Sequence, residues 1–357
     1  MSLKFRRGCV RAACTPIPVF VALASLGGAL ATAQAEELPE EAPSIVGDPL
    51  QPRRPAMSGV DLQRQGWLTA VATTTDRQIA VGAYGVVLVS DDGGRNWRQV
   101  MAPTDVTLTC IHMLDDSVGW IGGHESTLMQ TVDGGDSWTI LMTDPQVEDP
   151  VLDIWFSDRH GGFAIGGHSL MLRATPQDGA YQWRKAEFTI TNDDFFAPHL
   201  FDIAQLPDGG LLVSAEAGHL FRSEDGGRVW TQLDSPYHGS LFGLLPLPDG
   251  RMVLYGMLGH AFVSADRGDS WQTISMPVTD SFISDVESPA LLAGADGALV
   301  ALRVGDGTIE PQVIDTPMTR RAITGLLALP GGEWLAATNR GLVQFSARWP
   351  GQPKLPR

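Results

Sequence analysis

From residue 68 to residue 346 the apolar positions come in short runs that alternate with polar ones, and Gly, Asp or Pro interrupts each run. An alternation with period two predicts half-buried strands. Residues 151–156 (VLDIWF) and 200–203 (LFDI) read as apolar first strands, and Gly119–Gly123 (GWIGG) as a second strand.

These strands recur as a unit. SDDGGRNW (90–97), TVDGGDSW (131–138), SEDGGRVW (223–230) and SADRGDSW (264–271) share the pattern S/T-x-D-x-G-x-x-W. Ahead of each lies a small residue, two variable residues, another small residue and a strand, as in Gly82-Ala83-Tyr84-Gly85 and Gly256-Met257-Leu258-Gly259. This second pattern persists at 166–169, 294–297 and 338–341, where the first has decayed. The seven anchors are Ser90, Thr131, Ala174, Ser223, Ser264, Leu302 and Ser346, spaced by 41, 43, 49, 41, 38 and 44 residues. A repeat near 40 residues built of strands predicts an all-β, seven-bladed β-propeller of four-stranded antiparallel blades with Asp-box turns. The last unit has no evident fourth strand, because 349–357 is short and Pro-rich. Ring closure is therefore expected to borrow a strand from 44–62, which protects the sheet edges. The expected organisation is a signal peptide (1–35), an acidic, Pro-rich linker with the closing strand (36–60), the propeller (61–348) and a tail (349–357).

The box residues have structural work to do. Asp92, Asp133, Asp225 and Asp266 are expected to accept backbone N–H bonds within the turn from third to fourth strand. The hydroxyls of Ser90, Thr131, Ser223 and Ser264 add a further bond. Gly94, Gly135, Gly227 and Gly268 supply positive φ. Trp97, Trp138, Trp230 and Trp271 are expected to pack between blades.

Charge and the first residues place the chain. Lys4, Arg6, Arg7 and Arg11 precede an apolar run from 17 to 30 and an Ala33-Gln34-Ala35 site, the pattern of a cleavable signal peptide. Export to the periplasm or medium is expected, with no membrane insertion once the signal is gone. Cleavage leaves 21 of the 25 basic residues against all 41 acidic ones. So acidic a chain argues against nucleic acid and anionic lipid as partners. Cleavage also leaves Cys110 alone, so no intramolecular disulfide is expected.

The runs Leu152-Asp153-Ile154 with Phe156, Gly161 to Gly166, and Gly119-Trp120-Ile121-Gly122-Gly123 followed by TVDGGDSW resemble the photosystem II stability/assembly factor propeller family, over roughly residues 67–346. The resemblance implies a non-catalytic, exported propeller that assists assembly of a membrane protein complex. Photosynthetic members carry a basic, Arg-rich surface and this chain is acidic. The resemblance therefore points to a non-photosynthetic bacterial relative, a protein-binding accessory factor for an envelope complex.

The alternative is a sialidase-like glycoside hydrolase or a carbohydrate-binding propeller, since such enzymes share the boxes. Their chemistry needs an Arg clamp drawn from several blades, a Tyr nucleophile with a Glu partner, and an acid/base Asp. Here Arg320, Arg321 and Arg340 all come from the last unit, Arg53-Arg54-Pro55 is the nearest match to an Arg-Ile-Pro motif, and Tyr84 and Tyr237 lack a Glu partner in sequence. No catalytic residue and no cofactor is assigned. His124, His168, His219 and His260 lie on corresponding turns of four successive units without chelate spacing, so no metal site is assigned. Two candidate groups remain. The long loop 188–199 carries Asp193, Asp194, Phe195 and Phe196, a composition suited to an interface. Aligned first strands place Asp153, Asp202 and Asp285 with Ala70, Cys110, Gly243 and Gly325 at one level around the axis. Each Asp is expected to bond the next blade's backbone, with calcium as the competing occupant.

Overall fold

The computed structural model describes residues 62–157, 161–177, 180–188, 197–305, 307–329 and 332–347. The signal peptide, the linker, the tail and the loop positions Asp193, Asp194, Phe195 and Phe196 lie outside these residues. So does the closing segment except for Leu62, which begins a one-turn helix (Leu62–Gln65) instead of a strand. Among the described residues no helix is long and apolar enough to cross a membrane.

The chain is a seven-bladed β-propeller, and each blade is an antiparallel meander. The blades begin at strands Leu68–Thr73, Leu108–Met113, Val151–Ser157, Leu200–Gln205, Leu241–Pro246, Phe282–Val286 and Ile323–Ala328. These first strands neighbour one another in chain order and the last neighbours the first, so they form the inner ring. Second strands are fully buried in most blades, as in Gln78–Gly82 and Met252–Gly256. A strand buried on both faces reads as a continuous apolar run, and flat blades stacked face to face bury both sides. Fourth strands sit at the rim, and their burial alternates or fades, as in Thr139–Met142.

The box turns join third to fourth strands. In the first, Asp92 Oδ1 accepts the Arg95 and Asn96 N–H groups at 3.0 and 2.9 Å and the Ser90 hydroxyl at 2.9 Å. Ser90 Oγ in turn accepts the Gly94 N–H at 2.9 Å. The same set recurs at Asp225, with Arg228 N, Val229 N and Ser223 Oγ. Bonds that favour the ionised form hold these carboxyls low. Asp92 falls to about 2, chiefly through the Asn96 backbone N–H. Asp133 also falls to about 2, where burial opposes the shift and the Ser137 hydroxyl and N–H outweigh it. The box Trp rings are wedges: each packs on the preceding blade. Trp230 of blade 4 joins Phe163 and Ile165 of blade 3, and Trp138 of blade 2 joins Ile79 of blade 1. Blade 3 has no box, and its rim strand Ala180–Lys185 supplies the wedge with Trp183 and Tyr181. Both meet Trp120 of blade 2 and Phe156 edge-on, and Trp120 stacks on Phe156 at 4.2 Å.

Asp225→Ala is expected to cost about 1–2 kcal/mol at neutral pH, by removing acceptors from two turn N–H groups. The Asp225 carboxyl is held below its ordinary 3.8, mainly by the Val229 N–H. Its contribution is therefore present above pH 3.8 and disappears as pH falls through the folded value. Urea unfolding of both proteins at pH 7 and pH 2 checks this. A gap of equal size at both pH values would remove the carboxylate from the account.

Blade 7 has three strands among the described residues, and Gly341–Ser346 is paired on one side only. At the seam, Gly341 donates its N–H to Gly66 O at 2.7 Å and packs against the backbone of Gln63 and Arg64. In blade 1 the equivalent Gly85 packs against Thr104 and Asp105, residues of the loop that leaves the fourth strand. The one-turn helix thus takes the place that an inter-blade loop takes elsewhere.

Candidate functional site

Two features of the ring bear on function: the side chains that cross the inner seams, and the face formed by the turns from second to third strand.

Each first strand opens with a one-residue slip of register against the second strand, at Thr69, Thr109, Leu152, Phe201, Phe242, Ile283 and Thr324. A bulge re-aims the side chains beside it, and here those side chains reach the neighbouring blade. Thr69 Oγ1 donates to Leu108 O at 2.5 Å and Thr109 Oγ1 donates to Val151 O. Asp153 Oδ2 accepts the Ile203 N–H at 3.3 Å, and Asp202 Oδ2 accepts the Leu244 N–H at 2.7 Å. Tyr255 donates its hydroxyl to Asp285 Oδ1 at 2.7 Å. Ser284 Oγ donates to Ile323 O at 2.8 Å, and Thr324 Oγ1 donates to Leu68 O at 2.9 Å. All seven seams carry such a bond.

The alignment expected from sequence needs one correction. The slip in blade 6 falls at Ile283, so Ser284, not Asp285, shares the level of Asp153 and Asp202. Asp285 lies one residue on and accepts from the preceding blade instead of reaching to the next. Gly243 holds the same level in blade 5, and the Tyr255 ring lies against it. A side chain there would collide with the ring that bonds Asp285. Among the described residues no group of three or more His, Cys, Asp or Glu is arranged to hold a metal ion. Cys110 is buried in the apolar core. At the bulges of blades 3 to 6, Leu152, Phe201, Phe242 and Ile283 join one apolar cluster, with Phe201 and Phe242 edge to face at 5.1 Å.

Asp202→Ala is expected to destabilise by about 1–3 kcal/mol, because the buried Leu244 N–H loses its acceptor. Asp202→Asn keeps an acceptor oxygen and is expected to lose less. Melting curves with and without calcium check the assignment. A wild-type melting temperature that rises with micromolar calcium, and fails to rise in Asp202→Asn, would mark a cation site instead.

The turn face is built on a bond repeated in every blade. The first turn residue donates its N–H to the residue just before the blade's own first strand: Ala83 to Trp67, His124 to Thr107, Gly167 to Pro150, Glu216 to His199, Met257 to Ser240, Ala295 to Ser281, Asn339 to Ala322. The next residue forms the tip. Five tips are non-glycine residues in left-handed backbone: Tyr84, Glu125, His168, Ala217 and Leu258, with φ of 59, 56, 44, 54 and 55°. Such a conformation costs a side-chain-bearing residue roughly 1–2 kcal/mol. The Tyr84 and Leu258 side chains stand 53% and 60% exposed. The turn recurs around the ring, so the fold fixes where each tip side chain stands on this face.

The four turn histidines hold different places. His168 pairs with Asp149 and lies 4.9 Å, ring to ring, from His199, whose Nδ1 accepts the His168 N–H at 3.2 Å. His219 and His260 stack on Phe221 and Phe262. Burial lowers the pKa of His124. Arg320 and Arg340 are exposed near the seam.

No protein-family model matches the chain. The photosystem II assembly lipoprotein Ycf48 of Synechococcus sp. (strain CC9902) is 26% identical over 183 residues, 48% of this chain and 50% of that protein. The chain thus matches about half the length of that relative. The chain resembles Ycf48. A solved structure described as YCF48 bound to D1 peptide superposes with a TM-score of 0.62 at 18% identity, covering 82% of this chain and 98% of that one. YCF48 from Cyanidioschyzon merolae gives 0.62 at 11% identity, with the same coverage. The β-propeller domain of Myceliophteria thermophila Cps50 (Swd1) gives 0.58 at 12%, covering 78% and 96%. At these identities the structural likeness speaks for the fold.

Proposed function

We infer that the chain is a non-catalytic, exported Asp-box propeller that binds a segment of another protein and assists assembly of an envelope or membrane complex. The observation that carries this reading is the likeness to Ycf48, in sequence and in a fold whose solved relative holds a D1 peptide. The turn face supports it, because exposed side chains on rigid, strained tips suit recognition of another chain. The Arg residues of the opposite face also fit a scaffold. Arg77 and Arg98 of blade 1 bond Asp136 of blade 2 across their seam, and Asp91 of their own blade braces both. Arg222 bonds Asp269, and Arg267 bonds Glu224 and Asp208, between blades 4 and 5. They join blades and do not converge on a substrate.

Crosslinking in intact envelopes, followed by affinity purification of the tagged full chain, tests the reading. Enrichment of a membrane protein complex is the expected result. Turnover of sialosides or other glycosides by the purified chain, with no envelope protein captured, would replace it with the hydrolase. Mature protein beginning at Glu36 in the exported fraction would support the signal-peptide assignment.

A further inference from the structure

The turn face is divided by charge. From blade 2 to blade 4 its described turns and loops (124–126, 143–150, 167–169, 186–188, 197–199 and 216–219) carry Glu125, Asp144, Glu148, Asp149, Glu187 and Glu216, and neither Lys nor Arg. Asp149 faces His168, and Glu216 Oε2 lies 3.9 Å from His199 Nε2. The arginines of this face, Arg64, Arg320, Arg321 and Arg340, lie on the far side, at blade 7 and the seam, and Lys185 ends the blade 3 rim strand that leads into 186–188. Large apolar side chains bound the acidic sector at both ends. Trp67 and Tyr84 are 49% and 53% exposed on blade 1, and Met257 and Leu258 are 36% and 60% exposed on blade 5. Tyr84 and Leu258 are the left-handed tips of their turns.

We propose that this acidic sector, with the apolar tips at its two ends, docks a cationic amphipathic segment of the partner protein. Lys or Arg side chains of the segment lie over Glu125, Glu148 and Glu216, and its apolar side chains rest on Tyr84 and Leu258. The proposal rests on the protein-binding reading and narrows it to one chemistry of partner and one track across the face. Two observations carry it together. On the opposite face, carboxylates such as Asp136, Asp208 and Asp269 bond Arg across the seams. On the turn face the arginines are confined to blade 7 and the seam, where Asp296 and Asp315 stand among them, while the described turns and loops from blade 2 to blade 4 carry acidic residues alone, and such a distribution gives a field that steers and orients a charged partner. The arginines at blade 7 repel a cationic segment from the other half of the ring, which fixes the track. Apolar anchors at the ends supply affinity that charge alone does not.

The probe is a fluorescein-labelled amphipathic peptide of Leu and Lys, titrated into the full chain and read by anisotropy. A Leu/Glu peptide and a Ser/Lys peptide of equal length are the comparisons. The Leu/Lys peptide is expected to bind at least tenfold more tightly than either. Glu125→Gln/Glu148→Gln/Glu216→Gln is expected to raise its Kd at least tenfold, and Tyr84→Ser/Leu258→Ser likewise. Asp76→Asn/Glu287→Gln/Glu310→Gln removes as much charge away from this sector and is expected to change nothing. Melting curves establish that each variant is folded, and any that is not is replaced by its single substitutions. Equal weakening by the two charge variants would reduce the effect to the net charge of the chain and overturn the proposal, as would equal binding of the Leu/Glu peptide. The envelope pull-down separates the two levels. Capture by the wild type and equally by Glu125→Gln/Glu148→Gln/Glu216→Gln refutes the sector and leaves the scaffold. No capture by the wild type refutes the scaffold, and the peptide titration still decides the chemistry of the sector.

Discussion

Trp230→Ala is expected to destabilise the ring by about 3–5 kcal/mol, the cost of emptying a well-packed aromatic site. The indole is 1% exposed. It packs with Phe163 and Ile165 of blade 3 and Phe221 of its own blade, and Phe188 lies 5.6 Å away, ring to ring. These neighbours come from two blades and the loop joining them, so one substitution loosens a seam and the base of a loop together. The box turn itself keeps its Asp225 and Ser223 bonds. Thermal melting is expected to fall by about 5–10 °C. Trp97→Ala, at a half-buried site, is expected to cost less. A loss below about 1 kcal/mol for Trp230→Ala would show that the turn bonds, and not the wedge, hold blades 3 and 4 together.

Deleting residues 44–61 is expected to lower the melting temperature far more than deleting 36–43. The third strand of blade 7 is paired on one side among the described residues, whereas Val86–Ser90 in blade 1 pairs with Arg98–Met101 across four positions. Supplying that many backbone bonds to Gly341–Ser346 is worth about 2–6 kcal/mol. The expectation that residues 44–61 supply them rests on the helix Leu62–Gln65, which occupies the slot of an inter-blade loop and which that segment precedes in sequence. Differential scanning calorimetry of the two truncations checks this. Equal melting temperatures would mean that blade 7 closes without a strand from the N-terminal side.

The repeat was legible because each box residue is needed within its own turn. Asp, Gly and Ser/Thr at fixed spacing answer local demands, so their pattern survives in one dimension. The wedge role of the Trp followed from its size and its place at the start of the rim strand. The inner ring was legible only in part. Asp153 and Asp202 could be aligned by the apolar motif around them, but a one-residue slip moves every later side chain of a strand to the other face. Blade 6 carries Ser284-Asp285 where blades 3 and 4 carry Asp-Ile, and setting Asp against Asp displaced that strand by one residue. Tyr255 escaped notice because its bond crosses from a second strand. The available signal was a glycine, Gly243, opposite a large residue in the paired strand. Thr69, Thr109 and Thr324 share the position just before the aligned level, and that recurrence was a second signal. The strained turn tips were hidden for another reason. Sequence reasoning assigns positive φ to glycine, and here Tyr84 and Leu258 adopt it beside Gly85 and Gly259.

The inner seams are closed by unlike chemistry: hydroxyl to carbonyl at four of them, carboxylate to amide at two, phenol to carboxylate at one. A chain of near-identical units risks pairing the wrong neighbours as it folds, since every unit presents much the same flat surface. Three kinds of junction divide the ring, so a unit's inner side chain matches some neighbours and not others. What varies from unit to unit is thus concentrated in the narrowest part of the molecule, where the first strands meet around the axis.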